Sequence, residues 1–204
     1  MSPSYSVPAQ TIDVETVIKK SRFIAYLGQA STREEALAFI ASLRKKYPDA
    51  SHHCSAFVAG PPDAADSLGF DDDGEPGGTA GRPMLNVLQH KKIGEIVAVV
   101  VRYFGGVKLG AGGLVRAYSS AVQAACEQLP LTERITLKEG SLTCEYAREQ
   151  MVRHYFDQFQ VQILDCRYGE KVSITIAVSR ELTSELTRQL SEASRGQVQL
   201  EWQE

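Results

Sequence analysis

Three segments between residues 52 and 118 hold the residue types that could do chemistry. The strongest local signal is VVVRYFGGVKLGAGGLVRAY, residues 99–118, which reads as strand, glycine-rich loop and helix. A helix starting near Gly112 exposes free N–H groups and the positive end of its dipole, and glycines let an anion approach the backbone. Lys108 and Arg116 add charge to such a site. The established phosphate loops do not fit. Gly105 and Gly110 have P-loop spacing, but Ala111 stands where the lysine should follow, and Gly110, Gly112 and Gly113 do not continue as G-x-G-x-x-G. Tight packing beside a buried strand explains the same glycines, so anion binding and packing both stay open. The second segment, DDDGEPGGT at residues 71–79, groups four carboxylates: Asp71, Asp72, Asp73 and Glu75. An EF-hand fails in either register, because Gly74 at loop position 6 puts Gly69 at position 1, and Gly78 there puts Met84 at position 12. The expectation is a solvated acidic loop, at most a gate over a neighbouring basic surface. The third, His52-His53-Cys54, offers good metal ligands, but neighbours in a strand point to opposite faces. Only His52 and Cys54 can share a site, no second cluster completes it, and structural roles are expected. Tyr103 and Phe104 adjoin a valine run, where core packing is expected over base stacking. No catalytic residue, cofactor or metal is assigned.

Charge separates the two halves of the chain. The total is 22 Lys+Arg against 25 Asp+Glu, a net -3, which excludes a uniformly basic nucleic-acid binder. Residues 61–81 carry acidic side chains and no Lys or Arg, whereas Arg82–Arg116 carries Arg82, Lys91, Lys92, Arg102, Lys108 and Arg116 against Glu95 alone. A local basic face is therefore expected in the first half. The four cysteines form no C-x-x-C, no apolar run approaches a membrane span, and no export signal is legible. The expected setting is the cytoplasm, with free thiols.

Elements that must position these residues are written in periodicity and turn chemistry. Residues 14–28 read as paired strands around Lys19–Arg22. Ser31 with Glu34 reads as a capping box, followed by Leu37, Ile40, Leu43 and Tyr47 at helical spacing and a stop at Pro48. A strand over 55–59, a long loop over 61–81, a short helix over 83–90, a strand over 96–104 and a helix closed by Pro130 follow. The remainder reads β-α-β-β-α-β, with Val172, Ile174, Ile176 and Val178 alternating cleanly. The reading is α+β, with domains at 1–132 and 133–204.

Four segments together resemble the IMPACT family in its bacterial form: SRFIA (21–25), HHCSAFV (52–58), DDGEPGGTAGRPM (72–84) and VRYFGGVKLGAGGLVRAY (101–118). The resemblance implies a ribosomal protein S5 domain 2-like first domain and a ferredoxin-like second. The pair is similar to the last two domains of the translocating elongation factor, which act on the ribosome. Eukaryotic members oppose activation of a stress kinase that phosphorylates an initiation factor, through an N-terminal partner-binding domain. A translation-related role without catalysis follows from the resemblance, and the family supplies no catalytic residues to carry over. The expected partner is RNA or the ribosome, with protein partners in translation as a further possibility. Phosphates would meet Arg82, Lys91, Lys92, Arg102, Lys108 and Arg116, with backbone approach along Gly105, Gly106, Gly110, Gly112 and Gly113. The competing reading is an enzyme acting on a nucleotide or phosphorylated substrate, with the Gly105–Gly113 loop holding phosphate and Asp71–Glu75 holding a metal or acting as acid or base. The loop around Lys108 is similar to that of small-molecule kinases of the same superfamily, but it lacks their serine pair.

Overall fold

Lys19 and Lys20 both adopt left-handed backbone, at φ 45° and 66°, and close a two-residue hairpin. It joins β2 (Ile12–Ile18) to β3 (Ser21–Gln29), after a short β1 (Ser4–Pro8). The computed structural model describes residues Ser4–Gln203. Beyond the hairpin come α1 (Arg33–Lys46), β4 (His52–Ala59), β5 (Ser67–Asp71), α2 (Gly81–Lys91), β6 (Ile96–Tyr103), α3 (Ala111–Gln128) and β7 (Leu131–Ile135). The chain divides into two compact units between Arg134 and Ile135.

In the first unit an antiparallel sheet runs in the order β2-β3-β6-β4-β5, while β1 pairs with β7 in a separate ribbon. The period-2 alternation of strands splits the sheet into two apolar faces. Phe23, Leu27, Cys54, Ala56, Ile96, Ala98 and Val100 pack under α2 and α3 through Met84, Leu88, Leu114 and Tyr118. Ile24, Tyr26, Phe57, Val97, Val99 and Val101 pack against Ala36, Ile40 and Leu43 of α1. Central β6 is covered on both sides, which is why its sequence is an unbroken apolar run.

The local signals hold with physical adjustments. The cap of α1 is Thr32, which accepts from the Glu35 N–H at 3.2 Å while Glu35 reaches back to the Ser31 N–H at 2.7 Å. The capping box is thus one residue later than expected, because the Ser31 hydroxyl is engaged with Glu95 at 2.7 Å. Leu37 is 47% exposed and Ala36 takes its place in the core. The acidic stretch is not a bare loop, since β5 lies within it as an edge strand. Gly69, which breaks the strand pattern in the sequence, is required there: a Cβ would meet the Phe57 ring at 2.2 Å.

The second unit holds β8 (Leu137–Cys144), α4 (Tyr146–Gln158), β9 (Gln162–Tyr168), β10 (Val172–Ser179), α5 (Thr183–Ser194) and β11 (Leu200–Trp202). Its antiparallel sheet has the order β11-β8-β10-β9, and Val152, Phe156, Leu186 and Leu190 bring both helices onto one face. This is the ferredoxin-like arrangement expected from β-α-β-β-α-β. The protein is α+β, built as two mixed α/β units.

Candidate functional site

Strand β4 places His52 and Cys54 on one face and turns His53 to the other, where its Nε2 meets the Tyr47 carbonyl oxygen at 2.9 Å. The first face meets three residues from distant segments: Glu75 from the acidic loop, Arg102 from β6 and Tyr118 from α3. Glu75 Oε1 collects them. The Arg102 guanidinium donates to it, Tyr118 Oη donates at 2.7 Å, and His52 Nε2 lies 3.9 Å away. The side chains of Arg102 and Glu75 are 6% and 4% exposed, so the charges are paired within the protein rather than in water. The guanidinium also stacks over the Phe23 and Phe104 rings at 5.3 and 5.7 Å. Its Nε is a buried polar atom with no hydrogen-bond partner among the described residues. Cys54 donates its thiol to the Asp72 carbonyl oxygen at 3.0 Å, and burial pushes its pKa well up. Burial likewise raises Tyr118, and Cys54 and Glu75 add to the shift. Both groups are held as neutral donors, and Cys54 is no thiolate nucleophile at neutral pH.

Above this cluster lies the glycine-rich loop and the start of α3. Helix α3 begins at Ala111 behind Gly110, whose φ is 73° and which supplies no side-chain cap. The N–H groups of its first turn are therefore open to an external acceptor. The glycines divide by role. A Cβ at Gly105 would meet the Lys20 carbonyl carbon at 2.0 Å, so this glycine lets two backbones cross. Cβ atoms at Gly106, Gly110 and Gly112 would meet nothing within 4 Å, and Gly113 abuts only Leu109. Packing explains Gly105, Gly113 closes on Leu109, and Gly106, Gly110 and Gly112 border open space. Beside the helix start is a cavity of about 380 Å³ lined by Glu75, Arg102, Phe104, Lys108, Gly110 and Leu114, among others. Lys108 and Arg116 are exposed and, among the described residues, make no ion pair.

The six cations expected on one face are dispersed. Arg102 is buried against Glu75. Arg82 leans over Phe70 of β5 at 5.3 Å. Lys91 and Lys92 close the far end of α2, where Lys91 lies 4.0 Å from Glu127. At 1.5 Å per helical residue, Glu127 is roughly 24 Å along α3 from Ala111. Of the six, Arg102 and Lys108 line the cavity at the α3 start, and Arg116 lies in the second turn of α3. The acidic residues disperse too. Asp71 and Asp73 pair with Arg44 at 3.2 and 2.8 Å. Asp72 accepts from the N–H groups of Gly78, Ala80 and Gly81 at 2.7, 3.0 and 2.8 Å, capping α2. Burial raises its pKa, but these bonds outweigh burial and the net shift is downward. None of the four carboxylates pairs with Lys108 or Arg116 among the described residues; their partners include Arg44, Arg102 and backbone N–H groups. Glu95, the lone acid of the basic segment, is buried between Tyr5, Gln29 and Ser31.

Phe104 departs from the core packing expected of it, and Tyr118, buried in the core, adds a polar contact to that packing. Phe104 is 51% exposed at the cavity wall instead of in the core, because β6 ends one residue before it. Tyr118 reads as a helix core position, yet its hydroxyl reaches Glu75; the signal available was a tyrosine, a residue that needs a partner when buried. Among the described residues, no group of three or more His, Cys, Asp and Glu is arranged to hold a metal ion, and no helix is long and apolar enough to cross a membrane.

Comparison with known proteins adds a family context. The family model described as the Impact N-terminal domain matches residues 19–126, and the domain of unknown function DUF1949 matches residues 142–197. The IMPACT family member YigZ of Escherichia coli (strain K12) is 44% identical over 197 residues, covering 97% of each chain. The IMPACT family member YvyE of Bacillus subtilis (strain 168) is 36% identical, over 96% of this chain and 89% of that one. A crystal structure of a hypothetical protein, 43% identical, superposes with a TM-score of 0.71 over 100% of this chain and 99% of its own.

Proposed function

The chain belongs to the IMPACT family, and from that premise we propose that it is a translation-related regulatory protein that binds RNA, free or in the ribosome. One observation carries the reading: the uncapped start of α3 emerges beside open glycines, with Lys108 lining the cavity there and Arg116 exposed in the second turn of the helix, neither ion-paired among the described residues. Helix-terminal N–H groups and two free cations make an anion site suited to phosphate. The buried cluster beneath it does not repel an anion, because Arg102 neutralises Glu75 within the pair. The competing enzymatic reading rests on the same glycine-rich loop and on Asp71–Glu75, whose carboxylates are engaged by Arg44, Arg102 and backbone N–H groups.

Filter binding of the full chain to RNA across a salt series tests the proposal. Each phosphate contacted on a single strand contributes about -0.7 to the slope of log K against log salt. The double variant Lys108→Glu, Arg116→Glu should abolish binding at moderate salt. Undiminished binding by that variant, or affinity indifferent to salt, refutes the phosphate face.

A further inference from the structure

The cavity beside α3 offers more than a phosphate site, although any ligand it takes depends on the phosphate face proposed for that helix. Its wall includes the half-exposed Phe104 ring, Lys108 and Gly110 sit toward the α3 start, and Glu75 and Arg102 form the floor. All the described side-chain contacts of Glu75 converge on Oε1, from Arg102, Tyr118 and His52. Oε2 has no hydrogen-bond partner among the described residues, and Glu75 lines the cavity. An aromatic face, an anion site and a lone carboxylate acceptor thus surround one space.

We propose that this cavity receives one ribonucleotide whose base is unpaired, with phosphate at the α3 N-terminus and Lys108, base on Phe104, and a ribose hydroxyl donating to Glu75. Each part of the site selects one part of the ligand. Phosphate needs the N–H groups and the ammonium. A base needs a π face, and Phe104 is the exposed aromatic of the wall. The sugar connects the two, and its hydroxyls are donors for an acceptor-only carboxylate oxygen. A volume of about 380 Å³ is at the lower end for small-molecule sites, enough for one nucleotide and not for a base pair. Bases within an A-form duplex are already stacked on both faces and cannot lie on Phe104, so single strands are preferred. The same chemistry is offered by a nucleotide within single-stranded RNA and by a free nucleoside monophosphate.

Fluorescence anisotropy with the full chain separates these cases. The probes are a short single-stranded RNA, its duplex, the matching single-stranded DNA, and unlabelled AMP, CMP, GMP and UMP as competitors. Single-stranded RNA should bind more tightly than either duplex or DNA. Phe104→Ala should weaken it roughly 5- to 150-fold, the range of one lost base–aromatic stack, and Phe104→Trp should retain affinity. Circular dichroism of both variants checks that the exposed position leaves the fold intact. Competition by a monophosphate that shares the Phe104 dependence supports the pocket and assigns it to free nucleotides; absence of competition, with that dependence kept, assigns it to the polymer. Equal binding of duplex and single strand, with Phe104→Ala unaltered but Lys108→Glu inactive, overturns the nucleotide pocket and leaves the phosphate face standing. DNA binding as tightly as RNA removes the Glu75–hydroxyl contact. No salt-dependent binding of any probe overturns both readings.

Discussion

Replacing Arg102 by leucine should destabilise the first unit by about 3–5 kcal/mol, the range for breaking a buried ion pair from one side. The size follows from the surroundings of Glu75. Its side chain is 4% exposed, and without Arg102 the carboxylate retains only the Tyr118 hydroxyl at 2.7 Å and His52 at 3.9 Å. Removing the charge as well as its partner should reverse much of the loss. The double variant Arg102→Leu, Glu75→Leu places two apolar side chains where the pair lay, a replacement that is often neutral when volume is kept. Tyr118→Phe deletes one hydrogen bond to a charged group and should cost about 1.5–3 kcal/mol. Urea denaturation followed by far-UV circular dichroism measures all three. Fluorescence is unsuited, because the single tryptophan, Trp202, lies in the second unit. The expected signature is a double variant more stable than Arg102→Leu alone. Additive losses, or an Arg102→Leu protein within about 0.5 kcal/mol of the parent, would refute the view that Glu75 depends on this guanidinium.

Two further outcomes follow from the glycine and aspartate geometry. Gly105→Ala forces a Cβ to about the Lys20 carbonyl and should cost about 1–3 kcal/mol or more, whereas Gly112→Ala, with open space around it, should gain up to about 1 kcal/mol of helix stability; thermal unfolding of the pair reads the contrast. Asp72, whose folded pKa is lowered, contributes stability that is present above the unfolded carboxylate pKa and lost as pH falls through the folded value. Asp72→Asn should therefore be less stable than the parent at neutral pH by about 0.5–2 kcal/mol, as for a lost helix cap, with the gap closing in acid; a constant gap across an acid titration of stability would contradict the assignment.

Periodicity alone made the second unit legible. Val172, Ile174, Ile176 and Val178 alternate in the sequence and are all buried in β10, and the order of elements leaves little topological freedom. The helix periods and the unbroken apolar run of β6 were legible for the same reason: local spacing decides which side of an element faces a core. Edge strand β5 was not, because Gly69 weakens the strand pattern and its purpose is visible only against Phe57.

Sequence also determined which residues were candidates. The motifs around His52, Glu75, Arg102, Lys108 and Tyr118 were all singled out or contained in resemblance segments, and the fold brings them to one place. Their roles were decided by tertiary structure. Charge counted along the chain grouped Arg102 with Lys108 as free cations and grouped Glu75 with Asp72 as an acidic loop. Packing of β6 against the loop neutralises Arg102 with Glu75, capping assigns Asp72 to α2, and the length of α2 carries Lys91 and Lys92 to its far end. Electrostatic roles depend on distance and burial, and both are set by contacts between residues tens of positions apart. Local sequence fixes the faces of elements; it leaves open which charges will meet across them.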